Sequence, residues 1–129
     1  MEIIFLIGRI LFGGFFVMNG FNHLTKTGMM AGYASSKNVP MAKLAVIFTG
    51  LMILLGGAGI VLGVYIKLSV TLLVIFLFFV SFKMHNFWGA VVDQNQKMLE
   101  MVNFTKNMAL LGAALMIFMI PAPWPYSLF

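Results

Sequence analysis

The side chains able to act on another molecule are few: His23, His85, Trp88, Lys106 and Asn107, with Lys43 and Lys83 beside them. Each stands at or near one end of a long apolar run. Imidazole, ammonium, indole and amide groups all carry N–H donors, the groups that would meet the oxygens of a bound molecule. An ionisable side chain is costly in hydrocarbon, so a gathering of them is a candidate functional site. Lysine can also snorkel to the headgroups along its stem, and Lys43 and Lys83 read equally well as interfacial anchors. Asn107 has no such stem. Its amide points to an interior role, as a structural hydrogen bond or as a ligand contact.

The elements that position these groups follow from the hydropathy pattern. Apolar runs over 44–64 and 68–82 are separated only by Tyr65, Ile66 and Lys67. Because an α-helix rises ~1.5 Å per residue and satisfies its own backbone, ~20 apolar residues cross a hydrocarbon core of ~30 Å. The short connection makes these two helices antiparallel neighbours. Further apolar runs precede and follow them. The chain is therefore expected to be all-α, a single transmembrane domain forming an integral-membrane four-helix antiparallel bundle with spans over 3–24, 43–64, 68–85 and 103–120. Interfacial loops would occupy 25–42 and 86–102. Each loop would hold a short helix, the first near 29–36, and in the second Met98, Met101 and Val102 would dip into the interface while Asp93, Lys97 and Glu100 stay wet. Pro40 suits the first turn of the second span, and Pro121, Pro123 and Pro125 stop the fourth. Trp124 and Tyr126 would anchor the tail at the interface.

With 129 residues, 62% hydrophobic and only 9% charged, no length remains for a soluble catalytic domain. The first run lacks a basic leader and a small-residue cleavage site, and reads as a retained helix. The absence of cysteine removes disulfides, thiolate metal sites and iron–sulfur clusters carried by this chain. A net charge of +5 resides on scattered lysines near helix ends, which points to phosphate headgroups rather than nucleic acid. Six lysines (26, 37, 43, 83, 97 and 106) belong to the side of the longer loops, against Lys67 on the other. The positive-inside tendency thus puts the long loops in the cytoplasm and both termini outside.

In the first span Arg9, Gly13, Phe16, Gly20 and His23 recur at spacings of four and three, so they share one helix face. Arg9 would either snorkel or turn inward as a buried anchor. The second span holds Gly56, Gly57, Gly59 and Gly63, the last two as a GxxxG pair, and glycines at this density let helices approach closely.

The stretches RILFGGFFVMNGFNHL at 9–24, VPMAK at 39–43, GLMILLGGAGIVLG at 50–63, HNFW at 85–88 and KNMALLGAALM at 106–116 resemble, in order, the DoxX family of small four-helix membrane proteins. The resemblance implies a compact four-helix bundle and membership of a family that includes a small subunit of thiosulfate:quinone oxidoreductase and components of membrane-associated redox complexes. It departs from that pattern at Ile53, where an acidic residue is common, and at His23, where a lysine is common. Two functions follow. One is an accessory subunit packed against other subunits of a larger membrane complex in the cell's inner membrane, not an autonomous enzyme. The other is a quinone-linked oxidoreductase component that binds quinone at His23, His85, Trp88, Lys106 and Asn107. No other cofactor, and no metal-ligand set, is evident in the sequence.

Overall fold

A computed structural model of the chain describes residues 1–89 and 93–127, which are all-helical, with no strand among them. Helix α1 spans Glu2–Thr25, α2 Thr27–Ser36, α3 Ala42–Leu62, α4 Ile66–Met84 and α5 Gln94–Phe118. All but α2 are long and apolar enough to cross a bilayer. Their outward faces carry Ile4, Leu11, Met18, Leu55, Phe79 and Met116 exposed, as helices solvated by lipid tails should.

Helix α1 lies along α3, α3 against α4 and α4 against α5, while α2 rests on α3. Glycine makes the first of these contacts. A Cβ on Gly13 would stand 2.6 Å from the Gly57 carbonyl oxygen, and one on Gly20 would stand 2.8 Å from that of Gly50. The order of contacts reverses between the two helices, so α1 and α3 run in opposite senses, backbone almost touching backbone. Buried on α1 are Arg9, Gly13, Phe16 and Gly20, four of the five residues that the spacing placed on one face. The core behind this seam is Phe16, Ile53, Ile60, Val70, Leu73, Leu77 and Ala114. Ile53, where the family pattern favours an acid, is fully enclosed.

The turn between α3 and α4 requires glycine. Gly63 adopts φ +73° as the left-handed cap of α3, its N–H returning to the Gly59 carbonyl at 2.8 Å. The two glycines of the GxxxG pair therefore do different things: Gly63 closes the helix, while Gly59 makes room for Ser69 of α4. Arg9 reaches the same place from α1. Its Nε donates to Ile60 O at 3.2 Å, Nη2 donates to Val61 O at 2.9 Å, and Nη1 donates to Pro125 O, with the ring of Trp124 5.5 Å away. The inward reading of Arg9 is the observed one: a cation at the carbonyl end of α3, where the helix dipole contributes up to ~2 kcal/mol in such buried geometry.

Several expectations give way to the structure. Helix α5 begins at Gln94, not near Asn103, because Asp93 caps it, accepting a hydrogen bond from Asn95 N at 2.9 Å, and no breaker follows. The stretch 94–102 is thus continuous with the fourth span, not a separate surface loop with its own short helix. Glu100, expected in water, is only 4% exposed. Trp124, expected at the headgroups, is 3% exposed and packs edge-on to Phe5 at 5.1 Å. Pro40 precedes α3 instead of entering it, since Met41 at φ 50° is the residue before the first turn.

Candidate functional site

At the end of the bundle away from Gly63, the helices part around a cavity of about 470 Å³. Its body is apolar: Phe15 and Phe16 from α1, Val46 and Met52 from α3, Phe76 and Leu77 from α4. Around that body stand His23, Tyr33, Thr49, Lys83, His85, Lys106 and Asn107. Four of the five residues named from sequence as ligand contacts (His23, His85, Lys106 and Asn107) therefore border one space. Trp88 does not. It belongs to an aromatic group with Phe82, Phe87 and Phe104, at centroid distances of 5.2–5.9 Å, on the outside of the α4–α5 pair.

Each polar group is positioned by its helix. His23 lies over Gly50, where a Cβ would approach its own Cβ to 2.5 Å, and that glycine is what lets the imidazole settle against α3. There His23 Nδ1 lies 3.1 Å from Val46 O and 3.2 Å from Thr49 Oγ1, while its ring meets Phe76 edge-on at 5.9 Å. Lys106 Nζ sits 5.5 Å from the centre of the Phe15 ring and has no carboxylate partner among the described residues. Asn107 is 6% exposed, and its amide makes no hydrogen bond with any described residue. The interior hydrogen bond anticipated for it is absent. The fully buried side-chain atoms without a hydrogen bond among the described residues are Ser81 Oγ, His85 Nδ1 and Glu100 Oε2, so the Asn107 amide keeps access to the cavity, where a ligand oxygen can meet it.

The spacing of α5 explains what the sequence hid. Its buried residues are Glu100, Asn107 and Ala114, one every seven positions, so Glu100 and Asn107 share a face about 10 Å apart. Glu100 Oε1 accepts from the Tyr33 hydroxyl at 2.6 Å, and Oε2 lies 3.1 Å from Lys37 Nζ and 3.4 Å from His85 Nδ1. This cluster ties α2 to α4 and α5 across the cavity's end. Burial, reinforced by the hydrogen bond to Glu100 and its negative charge, pushes the Tyr33 phenol well above its ordinary pKa. Sequence reasoning missed Tyr33, Lys37 and Glu100. The seven-residue step from Glu100 to Asn107 was the signal that could have found the last of them.

The arrangement can hold a flat apolar body by its sides and hydrogen-bond acceptors by their edges, with positive charge nearby and the nearest carboxylate already engaged. No three His, Asp or Glu side chains converge among the described residues.

Comparison with known families gives a match to the DoxX family model over residues 4–86, which runs from α1 to the end of α4 and includes His23, Tyr33, Lys37 and His85. The 106–116 stretch that carried part of the resemblance lies outside the match. No curated protein and no solved structure matches the chain. With its all-helical fold, its four bilayer-length helices and a family match over more than half its length, this chain is a membrane protein of the DoxX family.

Proposed function

We propose that the protein is a small, quinone-holding subunit of a larger membrane complex, with the cavity as its quinone site. The observation that carries this reading is the apolar cavity bordered by His23, His85, Lys106 and Asn107, in which the Asn107 amide makes no hydrogen bond with any described residue. A quinone fits the residues present. Its ring is flat and apolar, suited to Phe15, Phe76 and Leu77, and its carbonyl oxygens are acceptors for Asn107 and for an N–H of His85 or Lys106. The cavity volume accommodates a ring with the first part of its tail. When bound, a quinone supplies two-electron carriage within the bilayer. The chain contributes the walls, the donors and the exclusion of water.

A partner subunit is the other half of the proposal. The chain has no cysteine, hence no thiol or iron–sulfur relay of its own, and electrons for a quinone would come from another polypeptide. The distribution of lysines supports an inner-membrane orientation with the cavity end toward the cytoplasm.

The test is purification in mild detergent followed by solvent extraction and chromatography of the bound lipids, with native electrophoresis of the same sample. Co-isolated quinone in roughly stoichiometric amount together with a larger complex is the expected result. A preparation that carries no quinone and binds none when a short-tailed quinone is added would refute the site. A chain that runs alone in every mild detergent would refute the subunit role.

A further inference from the structure

Glu100 is an unusual residue to bury at the end of a membrane helix. Removing a carboxylate from water costs several kcal/mol, and an ion pair formed in exchange adds little to stability. Here the carboxylate sits one side chain behind the cavity. Tyr33 and His85 both touch it and both border the cavity, whereas Lys37 approaches it without bordering the cavity. The cavity thus has a charged group in contact with its wall, and of the two titratable side chains between them, Tyr33 and His85, the imidazole is the type that exchanges protons near neutral pH.

We propose, building on the quinone reading, that His85, oriented by Glu100, carries the proton that a ligand oxygen engages on entering the cavity, so that binding takes up a proton. Glu100 Oε2 lies 3.4 Å from Nδ1, an ion-pair contact that does not meet hydrogen-bond geometry, so the carboxylate faces the Nδ1 edge of the ring and Nε2 is the atom assigned to the cavity. A proton added at Nε2 turns it from an acceptor into a donor toward the ligand oxygen, and the resulting imidazolium charge is balanced by Glu100. No bond other than N–H forms, and no electron moves. The proton comes from bulk water. The other charged groups facing His85 are Lys37 from α2 and Lys106 from α5, both of which oppose a second positive charge. Tyr33 from α2 also draws on the same carboxylate. Without a ligand, burial first and these two cations after it favour neutral imidazole, against the opposing pull of Glu100. An acceptor oxygen at Nε2 reverses that preference, and the unpartnered Asn107 amide on the same face of α5 supplies a second donor. Glu100 is a positioning residue, because it acts through His85.

Isothermal titration of the full chain in detergent with decylubiquinone, repeated in buffers of different ionisation enthalpy, measures the protons taken up per ligand. About one proton is expected near neutral pH. His85→Gln keeps an N–H donor that cannot titrate, so it should bind with uptake close to zero. Glu100→Gln should retain binding and lose at least half of the uptake, and it decides the matter if His85→Gln does not fold. Uptake that persists unchanged in the variants, or wild-type binding with no uptake, would overturn the proton role alone. If the wild type binds no decylubiquinone, the quinone site and this inference fall together.

Discussion

At the scale of single residues, Asn107 carries the most information, because its burial and its lack of a partner point in opposite directions for stability and for binding. In a protein held together by Asn107, replacing it would lower the melting temperature. Here Asn107→Leu removes an amide that makes no hydrogen bond with any described residue and puts an apolar side chain in its place, so the melting temperature of the ligand-free protein should hold or rise. Quinone affinity should meanwhile fall by about tenfold, the loss of one hydrogen bond of ~1.4 kcal/mol. Thermal melting and quinone titration on the same preparation check both halves. Tyr33 gives the pH counterpart. Its raised pKa means that the folded protein holds the phenolic proton more tightly than the unfolded chain does. That contribution to stability is fully present below the unfolded phenol's pKa of about 10 and is lost as pH rises beyond it toward the folded value. Melting temperatures should accordingly drop between neutral and strongly alkaline pH. Tyr33→Phe should flatten that part of the profile while lowering stability at neutral pH by about 1 kcal/mol, the worth of its hydrogen bond to Glu100.

Among the elements, the α1–α3 seam is the place where a methyl group decides the outcome. Gly13 and Gly14 are adjacent, yet a Cβ on Gly13 would lie 2.6 Å from the Gly57 oxygen, whereas one on Gly14 would meet nothing within 4 Å. Gly13→Ala must push two backbones apart and should cost about 1–3 kcal/mol. Gly14→Ala should be neutral or stabilising by about 0.5–1 kcal/mol, since alanine is the better helix former. Thermal melting of the pair reads the difference directly, and equal melting temperatures would mean that the seam is looser than the structure has it. Widening the seam should also disturb the cavity, because His23 depends on the same close approach at Gly50.

For the molecule as a whole, the lipid-facing surface and the reversed packing of α1 on α3 make one demand. Reporter tags at the two chain ends should label on the same face of the membrane, and the protein should stay in the membrane fraction through an alkaline carbonate wash. Tags on opposite faces would remove one crossing from the bundle. Much of this was legible in the sequence. Four apolar runs of bilayer length announce four membrane helices, because helix rise and hydrocarbon thickness leave few alternatives. The spacing of Arg9, Gly13, Phe16 and Gly20 likewise showed which side of α1 turns inward, since glycines and one charge mark a face that aliphatics would have hidden. On α5 no such contrast exists for a reader of the sequence. Asp93, Lys97 and Glu100 look alike as wet residues, and only the rotation of the helix, set by Tyr33, Lys37 and His85 packed against it, takes Glu100 inside. Trp124 likewise turns toward Phe5 and Arg9, and Trp88 away from the cavity, for reasons carried by neighbours distant in the chain. Hydropathy determines how many helices enter the bilayer. The angle of each about its own axis, and with it the membership of the site, is decided by the packing of one helix on the next.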